Sequence, residues 1–103
     1  MNILVTGCNG QLGKEFQKIS NIHTEHNWIF TDINELDICD KHSVNTFFTE
    51  KTLDVCINCA AYTAVDKAED EEEKARTINA EAVSNLADAC KLSNTLLIHI
   101  STD

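Results

Sequence analysis

The alternation of apolar and polar positions along the chain predicts four strands separated by helices. Short apolar runs predict strands at 3–5, 28–31, 54–58 and 95–100. Between these runs, apolar residues recur at helical spacing in three groups: Leu12, Phe16 and Ile19; Val44, Phe47 and Phe48; Ala75, Ile78, Ala82, Leu86 and Ala89. The βαβαβαβ order predicts an α/β, Rossmann-like fold in which a parallel sheet carries helices on both faces.

Polar residues mark the ends of these helices. Asp40 can cap the second helix, the segment Thr63 to Asp66 has the form of a capping box, and Asn94 ends the third helix. Four strands are half of a doubly wound sheet, and the fourth would leave an apolar edge unpaired. We therefore expect residues 1–103 to form one domain, truncated after the fourth strand, of a longer protein.

Composition excludes several classes of function. The net charge of −9 argues against non-specific nucleic-acid binding. No apolar run approaches the roughly 18 residues that a membrane span needs, and no signal peptide is evident, so we expect a cytoplasmic protein. The odd number of cysteines, five, indicates free thiols. Cys56 and Cys59 would point to opposite faces of a strand, which argues against a metal site.

All three glycines of the chain fall in one segment, from Gly7 through Gly10 to Gly13, between the first strand and the first helix. Gly7 permits a tight turn, Gly10 lets a pyrophosphate approach the backbone, and Gly13 lets the helix pack close to the sheet. Phosphates would lie on the amides at the helix start. This pattern predicts a dinucleotide-binding loop.

Asp32 strengthens that prediction, because it follows the second strand 19 residues after Gly13. Its carboxylate would accept hydrogen bonds from the adenosine ribose hydroxyls and repel a 2′-phosphate, and no Arg adjoins it. The cofactor is therefore expected to be NADH or NADPH, with NADH favoured. The alternative is that Asp32 is only a loop residue or a cap for the next turn.

Three segments beyond the glycine loop resemble one known family. They are Asn58-Cys-Ala-Ala-Tyr-Thr-Ala-Val-Asp-Lys-Ala-Glu69, Ile78-Asn-Ala80 and Ser101-Thr-Asp103. The chain resembles, over its whole length, the dTDP-4-dehydrorhamnose reductases of the extended short-chain dehydrogenase/reductases. The resemblance implies an NAD(P)H-dependent reduction of dTDP-4-dehydro-L-rhamnose to dTDP-L-rhamnose for cell-surface polysaccharide. The implied partners are the dinucleotide and a dTDP-sugar, without nucleic acid or membrane, and we also consider a homodimer.

The same resemblance assigns roles to individual residues. The implied cofactor-binding residues are Gly7, Gly10, Gln11, Leu12, Gly13, Asp32, Asp37, Ile38, Ala60, Ala61, Tyr62 and Thr63. Asp37 and Ile38 would flank the adenine. Thr102 matches the family's catalytic hydroxyl, which binds the substrate carbonyl, and Asp103 would contact the substrate beside it. In the alternative, purely structural interpretation, Ala61 only permits close packing and Tyr62 is a half-buried loop aromatic.

One departure from the family concerns the general acid, a tyrosine in a Tyr-x-x-x-Lys motif. Tyr62 is the only tyrosine, and Asp66 stands four residues later, so Tyr62 cannot be that acid. We therefore expect the 103-residue piece to lack reductase activity.

Three other functions compete with the reductase. An NADP-binding regulatory subunit of the methionine adenosyltransferase type is disfavoured by Asp32. A sugar-nucleotide epimerase or dehydratase is disfavoured by the segment Ala64 to Glu69. A purely structural domain would leave the clustered glycines unexplained.

Overall fold

A computed structural model of the chain describes residues 1–60 and 69–100, with the side chains of 1–60 and 79–100. Its elements are β1 (Asn2–Thr6), α1 (Gln11–Ser20), β2 (Asn27–Thr31), α2 (Lys41–Glu50), β3 (Val55–Asn58), α3 (Glu69–Ser93) and β4 (Leu96–His99). The predicted alternation is confirmed. The observed bounds of every strand differ from the predicted ones by one residue at one or both ends.

The four strands form one parallel sheet in the order β2-β1-β3-β4. The chain leaves β1 in one direction to form β2 and returns on the other side to form β3. This reversal places a topological switch point at the carboxyl ends of β1 and β3, where open α/β sheets bind ligands. The register puts Thr6 beside Thr31 on one side and Asn58 on the other.

Both faces of the sheet carry helices, as the sequence predicts. On one face, Leu4 and Cys56 are fully buried against α2 and α3, in a cluster completed by Leu36, Val44, Phe48, Leu53, Leu86, Ala89 and Cys90. On the other face, Ile3, Val5 and Ile57 pack against residues that include Phe16 of α1. Burial of these side chains is the main source of stability of the fold.

The apolar stripe predicted on α1 is only partly buried. Phe16 packs against the sheet and Gly13 is buried, but Leu12 and Ile19 are 37% and 38% exposed. One of the two edge strands, β4, also presents apolar side chains, since Leu96 is 61% exposed. The exposed apolar edge expected of the fourth strand is therefore present.

Asp40 caps α2 as predicted. Its Oδ1 accepts hydrogen bonds from the amides of His42 and Ser43 at 3.0 and 3.4 Å, and its Oδ2 accepts from the Ser43 hydroxyl at 3.0 Å. Asn94 ends α3 with a φ of 55°, in the left-handed region. The capping box predicted at Thr63 to Asp66 lies outside the described residues.

Cys56 and Cys59 belong to opposite faces of the sheet, as predicted. Cys56 is buried with α2 and α3, whereas Cys59 packs against the cluster on the α1 side. A hydrogen bond to Cys90, together with burial, raises the pKa of the Cys56 thiol. All five cysteines are free thiols. Among the helices within 1–60 and 69–100, none is long and apolar enough to cross a membrane.

Candidate functional site

Gly7 makes the turn that ends β1. Its φ is +67°, which favours glycine, and its carbonyl accepts a hydrogen bond from the Gly10 amide at 3.1 Å. A Cβ on Gly7 would lie 2.6 Å from both the Cα and the N of Ala60. Glycine is therefore required at position 7 for two reasons. It permits the positive φ, and it leaves room for the segment that follows β3 to approach.

Gly13 allows a close contact between α1 and the loop that precedes the helix. A Cβ on Gly13 would collide with the Gly7 carbonyl oxygen and lie 2.6 Å from the Cα of Cys8. The sequence predicts that Gly13 brings the helix close to the sheet, and the atoms nearest to Gly13 belong to the two residues that directly follow β1. The loop folds back over the first turn of α1, and Gln17 fastens it there by donating to the Cys8 carbonyl at 2.8 Å.

Gly10 stands at the cap position of α1 in an extended conformation that any residue could adopt. Within the described part of the chain, no side chain caps this helix start and its first turn holds no acidic residue. A Cβ on Gly10 would contact only the Gly7 carbonyl oxygen, at 3.4 Å. Folding therefore does not demand glycine here. Gln11 and Leu12 are exposed residues in the first turn of α1, where amides lack an acceptor within the helix, so these amides can donate to an anion that approaches closely.

Asp32 follows β2 and begins a single turn. Its backbone carbonyl accepts from the amides of Glu35 and Leu36, and its Oδ1 accepts from the Ile33 amide at 3.0 Å. Asp32 is thus a cap for the next turn, as the alternative interpretation proposes. Among the described residues, Oδ2 has no hydrogen-bond partner, so the capping role does not exclude a ribose contact.

The acidic end of β2 lies close enough to influence the glycine loop. Burial raises the pKa of the Cys8 thiol, and the negative charges of Asp32 and Glu35 raise it further. The amide of Cys8 also donates to the carbonyl of Thr31 at 3.0 Å, which continues the pairing of β1 and β2 beyond the strands. The loop and the carboxylates therefore belong to one site at the carboxyl edge of the sheet.

Asn58, at the end of β3, ties three strands together at that edge. Its Oδ1 accepts from the Thr6 hydroxyl at 2.6 Å and from the Ala60 amide at 3.2 Å. Its Nδ2 donates to Nδ1 of His99, the last residue of β4, at 3.0 Å. These contacts of Asn58 are not predicted from the sequence. The available signal is a polar residue that ends a buried apolar strand, where an unpaired amide would be costly.

Asp37 and Ile38 lie in the loop between β2 and α2, and both accept hydrogen bonds that stabilise it. Oδ1 of Asp37 accepts from the Cys39 amide at 3.0 Å, and the carbonyl of Ile38 accepts from Asn85 of α3 at 3.0 Å. A groove of ≈ 390 Å³ lies between this loop and α2. Asp37 lines the groove, whereas the side chain of Ile38 packs against the core. Their contact with adenine stays a prediction.

The remaining candidate residues fall in two groups. Ala60 is described, and it lies against Gly7 beside the glycine loop. The others lie outside the described residues: Ala61, Tyr62, Thr63, Thr102 and Asp103. The described site therefore contains the glycine loop, the end of β2 and the start of the segment after β3.

The model of the RmlD substrate binding domain family matches residues 1–103, the whole chain. The chain belongs to this family. A dTDP-4-dehydrorhamnose reductase of Mycolicibacterium smegmatis is 44% identical to this chain over an alignment of 103 residues. The alignment covers 98% of this chain and 30% of the relative. The chain therefore spans about a third of the length of the curated relatives it matches.

Solved structures give the same family and the same fold. The dTDP-4-dehydrorhamnose reductase of Clostridium acetobutylicum is 46% identical, with a TM-score of 0.85 over 94% of this chain and 34% of that chain. The enzyme from Bacillus anthracis, solved in complex with NADP, is 39% identical, with a TM-score of 0.86 over 97% of this chain and 36% of that chain. The Rossmann-like fold of the chain is confirmed.

Proposed function

We propose that the chain is the NAD(P)-binding, N-terminal part of a longer enzyme that reduces dTDP-4-dehydro-L-rhamnose to dTDP-L-rhamnose. The observation that carries this proposal is the start of α1, which has no side-chain cap and follows a glycine turn at the switch point of a parallel sheet. Membership of the family and the reductase activity of the relatives support the choice of substrate.

Different residues of the chain bind different parts of the dinucleotide. The amides of Gln11 and Leu12 bind the pyrophosphate, and Gly10 leaves room for it. Oδ2 of Asp32 accepts from a ribose hydroxyl, and Ala61, Tyr62 and Thr63 contact the nicotinamide ribose and the pyrophosphate. The bound cofactor supplies the hydride.

Thr102 donates a hydrogen bond to the substrate carbonyl, so that negative charge developing on its oxygen is stabilised. Asp103 contacts the substrate beside it. A general acid from a Tyr-x-x-x-Lys motif, beyond residue 103, completes the reaction by protonating that oxygen. The 103-residue chain alone is therefore inactive.

NADH is the preferred cofactor in this proposal. The carboxylate of Asp32 accepts hydrogen bonds from the ribose 2′- and 3′-hydroxyls, and it repels the 2′-phosphate that distinguishes NADPH. The NADP complex of the Bacillus anthracis relative supports a nicotinamide dinucleotide in general.

The proposed activity is tested by following dinucleotide oxidation with dTDP-4-dehydro-L-rhamnose. The intact protein should turn over and the 103-residue chain should not. Thr102→Val should lower kcat by about 100-fold, by analogy with loss of one oxyanion donor, whereas the matched control Ser101→Ala should change it little. An intact protein that binds the dinucleotide without turnover would contradict the reductase and favour the regulatory-subunit alternative.

A further inference from the structure

Two hydrogen bonds link Glu35 and Asp32 at the end of β2, one donated by each residue. The Glu35 Oε1 accepts a hydrogen bond from the Asp32 amide at 2.7 Å, and the Asp32 carbonyl accepts from the Glu35 amide at 3.0 Å. The bond from the Asp32 amide to the Glu35 side chain is one half of a capping box, and the Asp32 carbonyl, not its side chain, accepts from the Glu35 amide in return. The Glu35 carboxylate is thereby fixed beside the backbone of Asp32.

The fixed carboxylate adds charge to the position where the adenosine ribose would lie. Glu35 is exposed, so its charge faces the solvent from which a cofactor arrives. From Asp32 to Asp40 the sequence contains no Lys or Arg, so no cation in that loop offsets the two carboxylates. The combined negative charge would oppose a 2′-phosphate and leave the ribose hydroxyls of NADH unaffected.

We propose that Glu35 is a second selectivity residue, which positions Asp32 by its hydrogen bond and disfavours NADPH by its charge. This inference rests on the proposed dinucleotide-binding function. The two contributions are separable, because Glu35→Gln keeps an oxygen acceptor for the Asp32 amide and loses the charge. Glu35→Ala removes both.

The test is calorimetric titration of the intact protein with NADH and with NADPH. Glu35→Gln should leave the Kd for NADH unchanged and tighten NADPH binding by about three- to tenfold, the effect of one screened charge near a phosphate. Glu35→Ala should also weaken NADH binding, since Asp32 loses its support. The gain for NADPH should shrink at high salt, which a purely structural effect would not show.

Glu25→Gln is the matched control, because this exposed glutamate precedes β2 at the opposite end of the strand. It should leave both affinities unchanged. If wild type binds the dinucleotides and Glu35→Gln leaves their ratio unchanged, the selectivity role is wrong while the proposed function stands. If a folded wild-type protein binds neither dinucleotide, both the proposed function and the role of Glu35 are wrong.

Discussion

Replacing Asn58 with leucine should destabilise the chain by at least about 1–3 kcal/mol, because the buried hydroxyl of Thr6 would lose its acceptor. Asn58 and Thr6 are each 1% exposed, so water cannot replace the lost partner of the Thr6 hydroxyl. The Ala60 amide, which is only part-buried, loses the same acceptor. An unsatisfied buried group costs about 1–3 kcal/mol, and a part-buried one costs less. His99 is exposed and can turn to water, so its loss adds little.

Urea unfolding followed by circular dichroism measures this change, and a double-mutant cycle assigns it. Thr6→Val removes the hydroxyl that Asn58→Leu leaves unpaired. The double variant should therefore be less destabilised than the sum of the single variants, by about 1 kcal/mol or more. Thr49→Val, which removes an exposed helical hydroxyl, is the control and should change stability by less than about 0.5 kcal/mol.

Two results would refute this reasoning. A cost for Asn58→Leu no larger than that of Thr49→Val would mean that the amide does not hold the strand ends together. Additive single variants would mean that the hydrogen bond between Thr6 and Asn58 is not the source of the cost.

Three further predictions concern the loop, a helix cap and the thiols. Gly7→Ala should lower stability by about 2 kcal/mol or more in thermal unfolding, because of its positive φ and its contact with Ala60; a wild-type Tm would refute this. Hydrogen bonds from Ser43 lower the pKa of Asp40 in the folded state, so its stabilising effect is lost as pH falls. The Tm deficit of Asp40→Ala should therefore shrink below about pH 4, and a constant deficit would refute it. In peptide mapping after alkylation, exposed Cys39 should react in the native protein, whereas buried Cys56 should react only on unfolding; native labelling of the latter would count against the described core.

Much of the fold could be predicted from the sequence because it depends on local patterns. Apolar runs and helical spacing give the order of the elements, and the local chemistry of Asp40 and Asn94 gives two helix ends. The opposite orientations of Cys56 and Cys59 follow from the strand period alone. None of these inferences needs to know which element packs against which.

The parts that could not be predicted depend on residues distant in sequence. Asn58 binds Thr6 and His99, which are 52 and 41 residues away, and strand order had to be known before these contacts could be expected. Likewise, helical spacing on α1 predicts an amphipathic helix, but it does not say that Leu12 remains exposed. The contact of Gly13 with the preceding loop depends on how that loop folds back.

The most direct test of the account is calorimetric titration of NADH into the wild-type chain and its Gly10→Ala variant. Alanine fits the φ of residue 10 and meets only one atom at 3.4 Å, so both proteins should give the same circular dichroism spectrum. A phosphate-binding glycine loop should give one-to-one binding to wild type and a loss of affinity of about tenfold or more, about 1.4 kcal/mol, in the variant. A folded wild-type chain that does not bind NADH, or a variant that binds it equally well, would contradict the account.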